Sequence, residues 1–248
     1  IMAWHTPSLD FFLQVRKGRV EGHSSMLMAG EYDSLSTSDS TVWPEGGVVT
    51  WPSSATQMTL SSSSSNDDDG STGATTILVT GLDEDFTIIT EPVTMDGQNG
   101  VTTSANFYRI NKLQVTGAGS SEANEGIIYI GEGTITSGKP ATVYNLIPIG
   151  ANKSYGAFLT VPKSQSYFMV YAISSASVDS MITQYVRPAG GLFYASGSTI
   201  LNSARDFHIK GAPGLAAGSD YEIRAKTLSG SGVITFYAEF VEVDERSG

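Results

Sequence analysis

The chain has 248 residues, a formal net charge of −11, only 16% charged residues and no cysteine. A strongly acidic chain repels the phosphate backbone, so we expect no nucleic-acid partner. The absence of cysteine excludes disulfides and thiolate metal sites. No apolar run approaches the roughly 18 residues of a membrane helix, so we expect no membrane partner.

Residues 1–75 are predicted to be an extended N-terminal arm with short strands. They show no sustained periodicity and include a serine run at 61–65. One short element is predicted over 11–20, where apolar residues alternate. Because such a composition buries little apolar surface by itself, we expect another polypeptide to order the arm. The alternative is that the arm packs on its own sandwich.

Aromatic side chains of the arm are its candidate anchors on a neighbouring subunit. Two tryptophans each precede a proline, which favours an extended backbone at the tryptophan. We therefore predict an assembly interface that includes Trp4, Phe11, Phe12, Trp43 and Trp51.

Residues 76–248 are predicted to form an antiparallel β-sandwich or jelly-roll-like domain, so the whole chain is mainly β. Few charges together with 27 glycines are typical of strands joined by many turns. Short apolar segments recur between turn signals. The predicted strands are 76–80, 86–95, 107–116, 127–130, 141–147, 155–161, 167–173, 181–186, 192–201, 205–209, 221–228 and 233–243.

Alternation along these strands predicts the buried face, although a shift of one residue would exchange the two faces. The predicted core is Ile77, Val79, Phe86, Ile88, Ile110, Leu113, Val115, Ile128, Ile130, Val143, Phe158, Val161, Phe168, Val170, Ile182, Tyr185, Val186, Ile223, Val233, Phe236 and Phe240.

A defined turn is predicted at Arg187-Pro188-Ala189-Gly190-Gly191, because proline breaks ladder pairing and glycine permits a positive φ. Arg187 is the sixth candidate interface residue, since its guanidinium could reach a carboxylate in a neighbouring chain. Capping the turn or facing solvent is an equally good interpretation.

The sequence contains no convincing chemical motif. The three histidines are far apart, so no zinc site is expected. The acidic runs 67–69 and 83–85 lack the ligand spacing of a calcium loop, and solvated acidic turns are the favoured interpretation. Neither a nucleophile elbow nor a P-loop is present. We therefore predict a non-enzyme with no catalytic, cofactor-binding or metal-binding residues and no cofactor.

A series of short blocks spread over nearly the whole chain resembles virion structural proteins of tailed bacteriophages. Two of them are Trp43-Pro44-x-Gly46-Gly47 and Arg187-Pro188-x-Gly190-Gly191-x-Phe193. The resemblance implies a β-rich protein located in the phage particle, with no catalytic residues to carry over. The blocks lie at 15–23, 43–47, 81–83, 91–97, 107–110, 115–126, 150–154, 160–162, 187–193 and 221–225.

Two functions follow as hypotheses. The first is a capsid decoration or cement subunit, a homotrimer that clamps the head lattice through its N-terminal arm and contacts the major capsid protein. The alternative is a tail, neck or fibre-knob component involved in host attachment, which would contact a tail or neck protein. A carbohydrate-binding module would need a row of exposed aromatics on one sheet, whereas the three tryptophans lie in the predicted arm.

Overall fold

The chain is almost entirely antiparallel β in a sandwich-like arrangement, which confirms the predicted fold class. The computed structural model describes the backbone of residues 7–202 and 214–245, with side chains from residue 11 onward. Its elements in chain order are α1 (Pro7–Arg16), β1 (His23–Leu35), β2 (Ser40–Thr41), β3 (Thr56–Ser62), β4 (Ala74–Leu82), β5 (Ile88–Thr94), β6 (Val101–Phe107), β7 (Arg109–Ala118), β8 (Ile128–Thr136), β9 (Lys139–Ile147), β10 (Phe158–Thr160), β11 (Gln165–Ala176), β12 (Ser180–Arg187), β13 (Tyr194–Leu201), β14 (Asp220–Thr227) and β15 (Gly232–Asp244).

Strands from both ends of the chain form what we call the terminal sandwich. Sheet 1 has the order β1-β15-β11, and sheet 2 has the order β10-β14-β12-β13 with β2 also paired to β14. Apolar side chains from both sheets share one core, which includes Met28, Phe236 and Phe240 of sheet 1 and Ile182 and Ile223 of sheet 2. The N-terminal strand β1 is therefore an integral part of the C-terminal sheet.

The intervening residues 56–147 form a second unit, the central sandwich. Sheet 3 has the order β6-β3-β8-β9, and sheet 4 has the order β5-β4-β7. Its separate core includes Leu60 and Ile130 from sheet 3 and Ile77, Val79 and Leu113 from sheet 4. The central sandwich is thus inserted between β2 and β10 of the terminal sandwich.

The predicted arm, residues 1–75, is not one extended arm. From His23 to Leu35 it pairs with β15, and from Thr56 to Ser62 it pairs with β6 and β8. The predicted boundary at residue 75 falls inside β4. The prediction was wrong because the arm's apolar residues are distributed between two cores on its own chain.

The element predicted over 11–20 also has a different form, because residues 7–16 are helical. Pro7 begins the helix, and the fixed φ of proline suits the first helical turn. Among the described side chains of the helix, Val15 is buried, while Arg16 makes an ion pair with Glu239 on β15. The helix therefore docks onto sheet 1 of its own chain.

The strands from residue 76 onward match the predicted positions closely, with differences of register. In the first half of β11 the buried residues are Tyr167 and Met169, whereas Phe168 is exposed and Val170 is half-buried. A bulge between Met169 and Tyr171 interrupts the pairing with β15, and a bulge adds a residue to one strand.

A few other positions differ from the predicted core. Val233 is exposed where its neighbour Ile234 is buried, and Ile88 lies on an exposed face of β5. Phe86, Val115 and Tyr185 are only half-buried. The polar strand β6 had no apolar pattern to reveal it. The strand predicted at 205–209 lies outside the described residues.

No helix among residues 7–202 and 214–245 has both the length and the apolar character needed to cross a bilayer.

Candidate functional site at the junction of the two sandwiches

The chain crosses between the sandwiches through residues 42–55 and 148–157, and a third apolar cluster fills this junction. Trp43 and Trp51 each pack edge-on against Phe158, with ring centroids 5.5 and 5.9 Å apart. Tyr129 and Leu146 contribute the outer face of sheet 3 to the same cluster. The two tryptophans therefore join the central sandwich to sheet 2 through apolar contacts.

The outer face of sheet 2, next to this cluster, carries charged side chains. Because alternate residues of a strand share a face, Asp220, Glu222 and Arg224 point the same way along β14. Arg187 and Tyr185 of β12 lie directly opposite Asp220 and Glu222. Sheet 2 therefore has one apolar face toward its core and one ionic face toward the junction.

Asp220 is the centre of the ionic face. Arg109 of the central sandwich donates Nε to its Oδ1 at 2.8 Å and Nη2 to its Oδ2 at 3.2 Å. Arg187 donates Nε to Oδ2 at 2.7 Å, and the Thr160 hydroxyl donates to Oδ1 at 2.5 Å. The carboxylate is 2% exposed and Arg109 is 3% exposed. One buried carboxylate thus joins two arginines from different sandwiches.

Arginines and aromatic rings alternate across the junction in a series that we call the arginine–aromatic ladder. Arg109 Cζ lies 3.8 Å from the Tyr108 ring centroid and 5.4 Å from that of Trp51. Arg187 follows between Trp51 and Phe193, at 5.5 and 4.5 Å. The series, in spatial order, is Tyr108, Arg109, Trp51, Arg187, Phe193, Arg224 and Tyr185.

Charge balance within the ladder is close, since three arginines face two carboxylates. Burial raises the pKa of Glu222, while the ion pair with Arg224 and the Thr41 hydroxyl oppose that rise. The Thr41 hydroxyl donates to Glu222 Oε2 at 3.0 Å. Both carboxylates of the face are therefore occupied by donors of their own chain, and neither is positioned as a general base.

Two donors in the ladder are not satisfied by hydrogen bonds. Trp51 Nε1 is buried and has no partner among the described residues. Arg187 Nη2 lies 2.5 Å from Asp220 Oδ2 but is not aligned for a hydrogen bond. Ring contacts therefore hold the Trp51 indole in place, whereas Arg187 keeps its Nε hydrogen bond to Asp220.

The predicted turn after Arg187 is present. Gly191 N donates to Pro188 O at 2.9 Å, and Gly190 has a φ of 70°. A positive φ at the third position is what a type II turn requires. The turn brings Phe193 back over Arg187, so it completes the ladder.

Beyond the turn, the chain continues as an exposed edge strand with no charged residue between 188 and 202. β13 is the last strand of sheet 2, and among the described residues no strand pairs with its outer edge. Leu192, Tyr194 and Ile200 are 87%, 53% and 56% exposed. Edge strands usually carry charges or prolines that block pairing with another chain, and β13 carries neither.

The predicted interface residues separate into three groups. Trp43, Trp51 and Arg187 converge at the junction, where they contact their own chain; Trp43 is 2% exposed. Phe11 and Phe12 lie on α1, where Phe11 packs edge-on against His23. Trp4 lies outside the described residues. The two tryptophans thus anchor the junction within their own chain.

Sequence reasoning missed Arg109, Asp220, Glu222 and Arg224 as members of this site. A signal was available for the arginines. Arg109 and Arg224 interrupt apolar strands in a chain with few charges, and a charge within such a strand requires a buried counter-ion.

The acidic run at 67–69 is not a simple solvated turn. Asp67 is buried and accepts Ser62 Oγ at 2.5 Å and the N–H groups of Ala74, Glu125 and Gly126, each at 2.8 Å. Its oxygens are thus occupied by loop donors. No cluster of three or more acidic or histidine side chains fit to hold a metal occurs within the part of the chain that the structure describes.

No family model matches the sequence, and the comparison with curated proteins found no match. Among solved structures, PirA is 15% identical over 33% of this chain and 90% of its own, with a TM-score of 0.23. The T13 particle of infectious bursal disease virus is 9% identical over 90% of this chain and 74% of its own, with a TM-score of 0.22. A VP2 subviral particle of that virus is 10% identical over 91% and 73%, at 0.20. TM-scores this low do not define a common fold.

Proposed function

We propose that the chain is a non-enzymatic structural subunit of a tailed-phage particle, and within it a capsid decoration subunit that assembles as a homotrimer. The observation that carries this proposal is the exposed, uncharged edge of β13, which bears Tyr194 and Ile200, together with the exposed Leu192 just before the strand. An edge of this kind is a template for pairing with another chain.

The contacts of Trp43 and Trp51 lead us to propose a different surface for this contact. Both side chains pack in the junction cluster of their own chain, so the proposed contact uses β13 in their place. The arginine–aromatic ladder instead fixes the turn from which β13 emerges. β13 therefore starts from a turn whose position is fixed, as a contact surface between subunits requires.

Self-association is the first test, by light scattering of the purified protein. We expect a trimer for the wild-type chain and a monomer for Leu192→Glu combined with Ile200→Lys. Ile149→Lys is the matched control, because Ile149 is also highly exposed, at 64%, but lies outside both β13 and the segment that leads into it. A monomeric wild type, or a trimer that survives the double variant, contradicts the use of this edge.

Location in the particle is the second test, by quantitative mass spectrometry of purified virions. On the order of hundreds of copies supports decoration of the head lattice, whose symmetry repeats each contact many times. A few dozen copies or fewer supports the alternative, a tail, neck or fibre-knob component. Absence of the protein from virions overturns the proposal as a whole.

A further inference from the structure

A cleft of about 490 Å³ lies between the two sandwiches, beside β1. One wall is formed by residues 25–29 of β1 and the other by the outer face of sheet 4, with Thr80 and Lys112. Lys153 and Ser154 line it between these walls. Its volume lies in the usual range of ligand pockets, which occur preferentially between domains.

The β1 wall presents a strand edge and not a strand face. Successive side chains of a strand point to opposite faces, so five consecutive lining residues indicate that the edge itself borders the cleft. β1 is the end strand of sheet 1, and its only strand partner among the described residues is β15. Leu27, in the middle of this stretch, is half-exposed.

Two lysines on the opposite side lack an acidic partner among the described residues. Lys112 lies opposite Thr80, and Lys153 forms a bridge with Gln114, two residues from Lys112 on the same strand. The two ammonium groups therefore share one face as diagonal neighbours. Burial and repulsion from Lys153 lower the pKa of Lys112. Glu242, the acid in the cleft, already accepts the Ser24 hydroxyl.

We propose that this cleft binds an extended acidic peptide segment of another protein, which adds to β1 as an edge strand and places carboxylates beside Lys112 and Lys153. Backbone hydrogen bonds to β1 would supply affinity, and the lysines would select the side chains. Charge complementarity favours this occupant, since two adjacent unpaired cations persist in a chain of net charge −11.

Fluorescence polarisation with a labelled hexapeptide of alternating glutamate and valine tests the proposal. We expect saturable binding to the full chain, and a loss of at least about tenfold in affinity for Lys112→Gln combined with Lys153→Gln. Lys139→Gln combined with Lys226→Gln is the matched control, because it removes two positive charges that pair elsewhere with Glu45 and Asp39. Equal losses in both variants would show a general charge effect and overturn the site.

Two further probes separate strand addition from simple anion binding. The same peptide with alternate backbone nitrogens methylated is expected to bind at least about tenfold more weakly, because it cannot complete the ladder on β1. A uronic-acid oligomer is expected not to compete. Undiminished binding of the methylated peptide, effective competition by the sugar, or no binding of the parent peptide at millimolar concentration each contradicts the proposal.

Discussion

The two sandwiches of this chain have similar layers but opposite chain topology. The central sandwich is built from residues 56–147 in one continuous stretch, with hairpin neighbours such as β4-β5 and β8-β9. The terminal sandwich closes only when β1 from one end pairs with β15 from the other. A loop-like N-terminal sequence can therefore be essential to a distant sheet, because pairing of β1 with β15 places the apolar residues of β1 in the core of the terminal sandwich.

Deletion of residues 1–75 should have the largest effect on stability, and it tests whether this segment is essential to the fold. It removes β1, β2 and β3, both tryptophans of the junction and the start of β4. We expect the remaining chain to lose its cooperative unfolding transition, as measured by circular dichroism during urea denaturation. A cooperative, β-rich truncation product would restore the interpretation of residues 1–75 as an assembly arm.

Residues 56–147 expressed alone are the control for that deletion. Their core is separate from that of the terminal sandwich, and their strands pair among themselves. We expect this fragment to fold, because inserted domains with their own cores commonly do. If the fragment is unfolded, the two sandwiches fold as one cooperative unit, and the central sandwich is not an independently folding domain.

Replacing the carboxylate that joins the sandwiches should have the next largest effect. Asp220→Asn leaves Arg109 and Arg187 without their shared counter-charge in a buried position. Removing one partner of a buried ion pair costs about 3–5 kcal/mol of unfolding free energy. Urea denaturation measures this loss directly.

Asp39→Asn provides the comparison for Asp220. It removes the partner of Lys226, at 3.3 Å, in a pair that remains substantially exposed. We expect a loss of about 1 kcal/mol or less. If the two variants are equally stable, the Asp220 network does not hold the junction.

How far the sequence predicts the structure depends on which sandwich a residue belongs to. In the central sandwich, alternation correctly identified Ile77, Val79, Leu113, Ile128 and Ile130 as buried. These strands are short and half-buried, so side-chain alternation reports directly on the two faces.

The terminal sandwich was less predictable for identifiable physical reasons. The bulge after Met169 in β11 shifts the inward face from Tyr167 and Met169 before it to Ala172 and Ala176 after it, which no alternation rule anticipates. β1 pairs with β15 from the other end of the chain, and no local pattern in His23–Leu35 identifies the strand with which it pairs. The ionic site was not predicted for the same reason, since Arg109 and Asp220 come together only through the tertiary fold.

The turn before β13 gives a smaller and more local test. Gly190 has a φ of 70°, so Gly190→Val should cost about 1–3 kcal/mol through backbone strain, although a Cβ there meets no neighbour within 4 Å. Gly197→Val is the matched control in β13, where the space is equally open and φ is not positive. We expect that variant to be neutral or slightly stabilised, because valine favours strands. Thermal unfolding of both variants measures the difference. Equal melting temperatures would show that the folded protein does not require a positive φ at residue 190.

The smallest expected effect is a change in pH dependence caused by Glu222. Burial raises its pKa above the ordinary value of 4.5 in the folded protein, while the unfolded chain keeps the ordinary value. The folded state therefore holds this proton to higher pH, and the unfolding free energy falls as pH rises from 4.5 through the raised pKa.

Glu222→Gln cannot titrate, so its unfolding free energy relative to wild type should increase as pH rises from 4.5 through the raised pKa. The ion pair with Arg224 forms only when Glu222 is ionised, so its effect is already contained in the pKa of Glu222. Glu84→Gln at an exposed position is the matched control for removing one charge. Urea denaturation across that pH range measures the difference, and a constant offset between wild type and Glu222→Gln would show that Arg224 and Thr41 fully compensate the burial of this carboxylate.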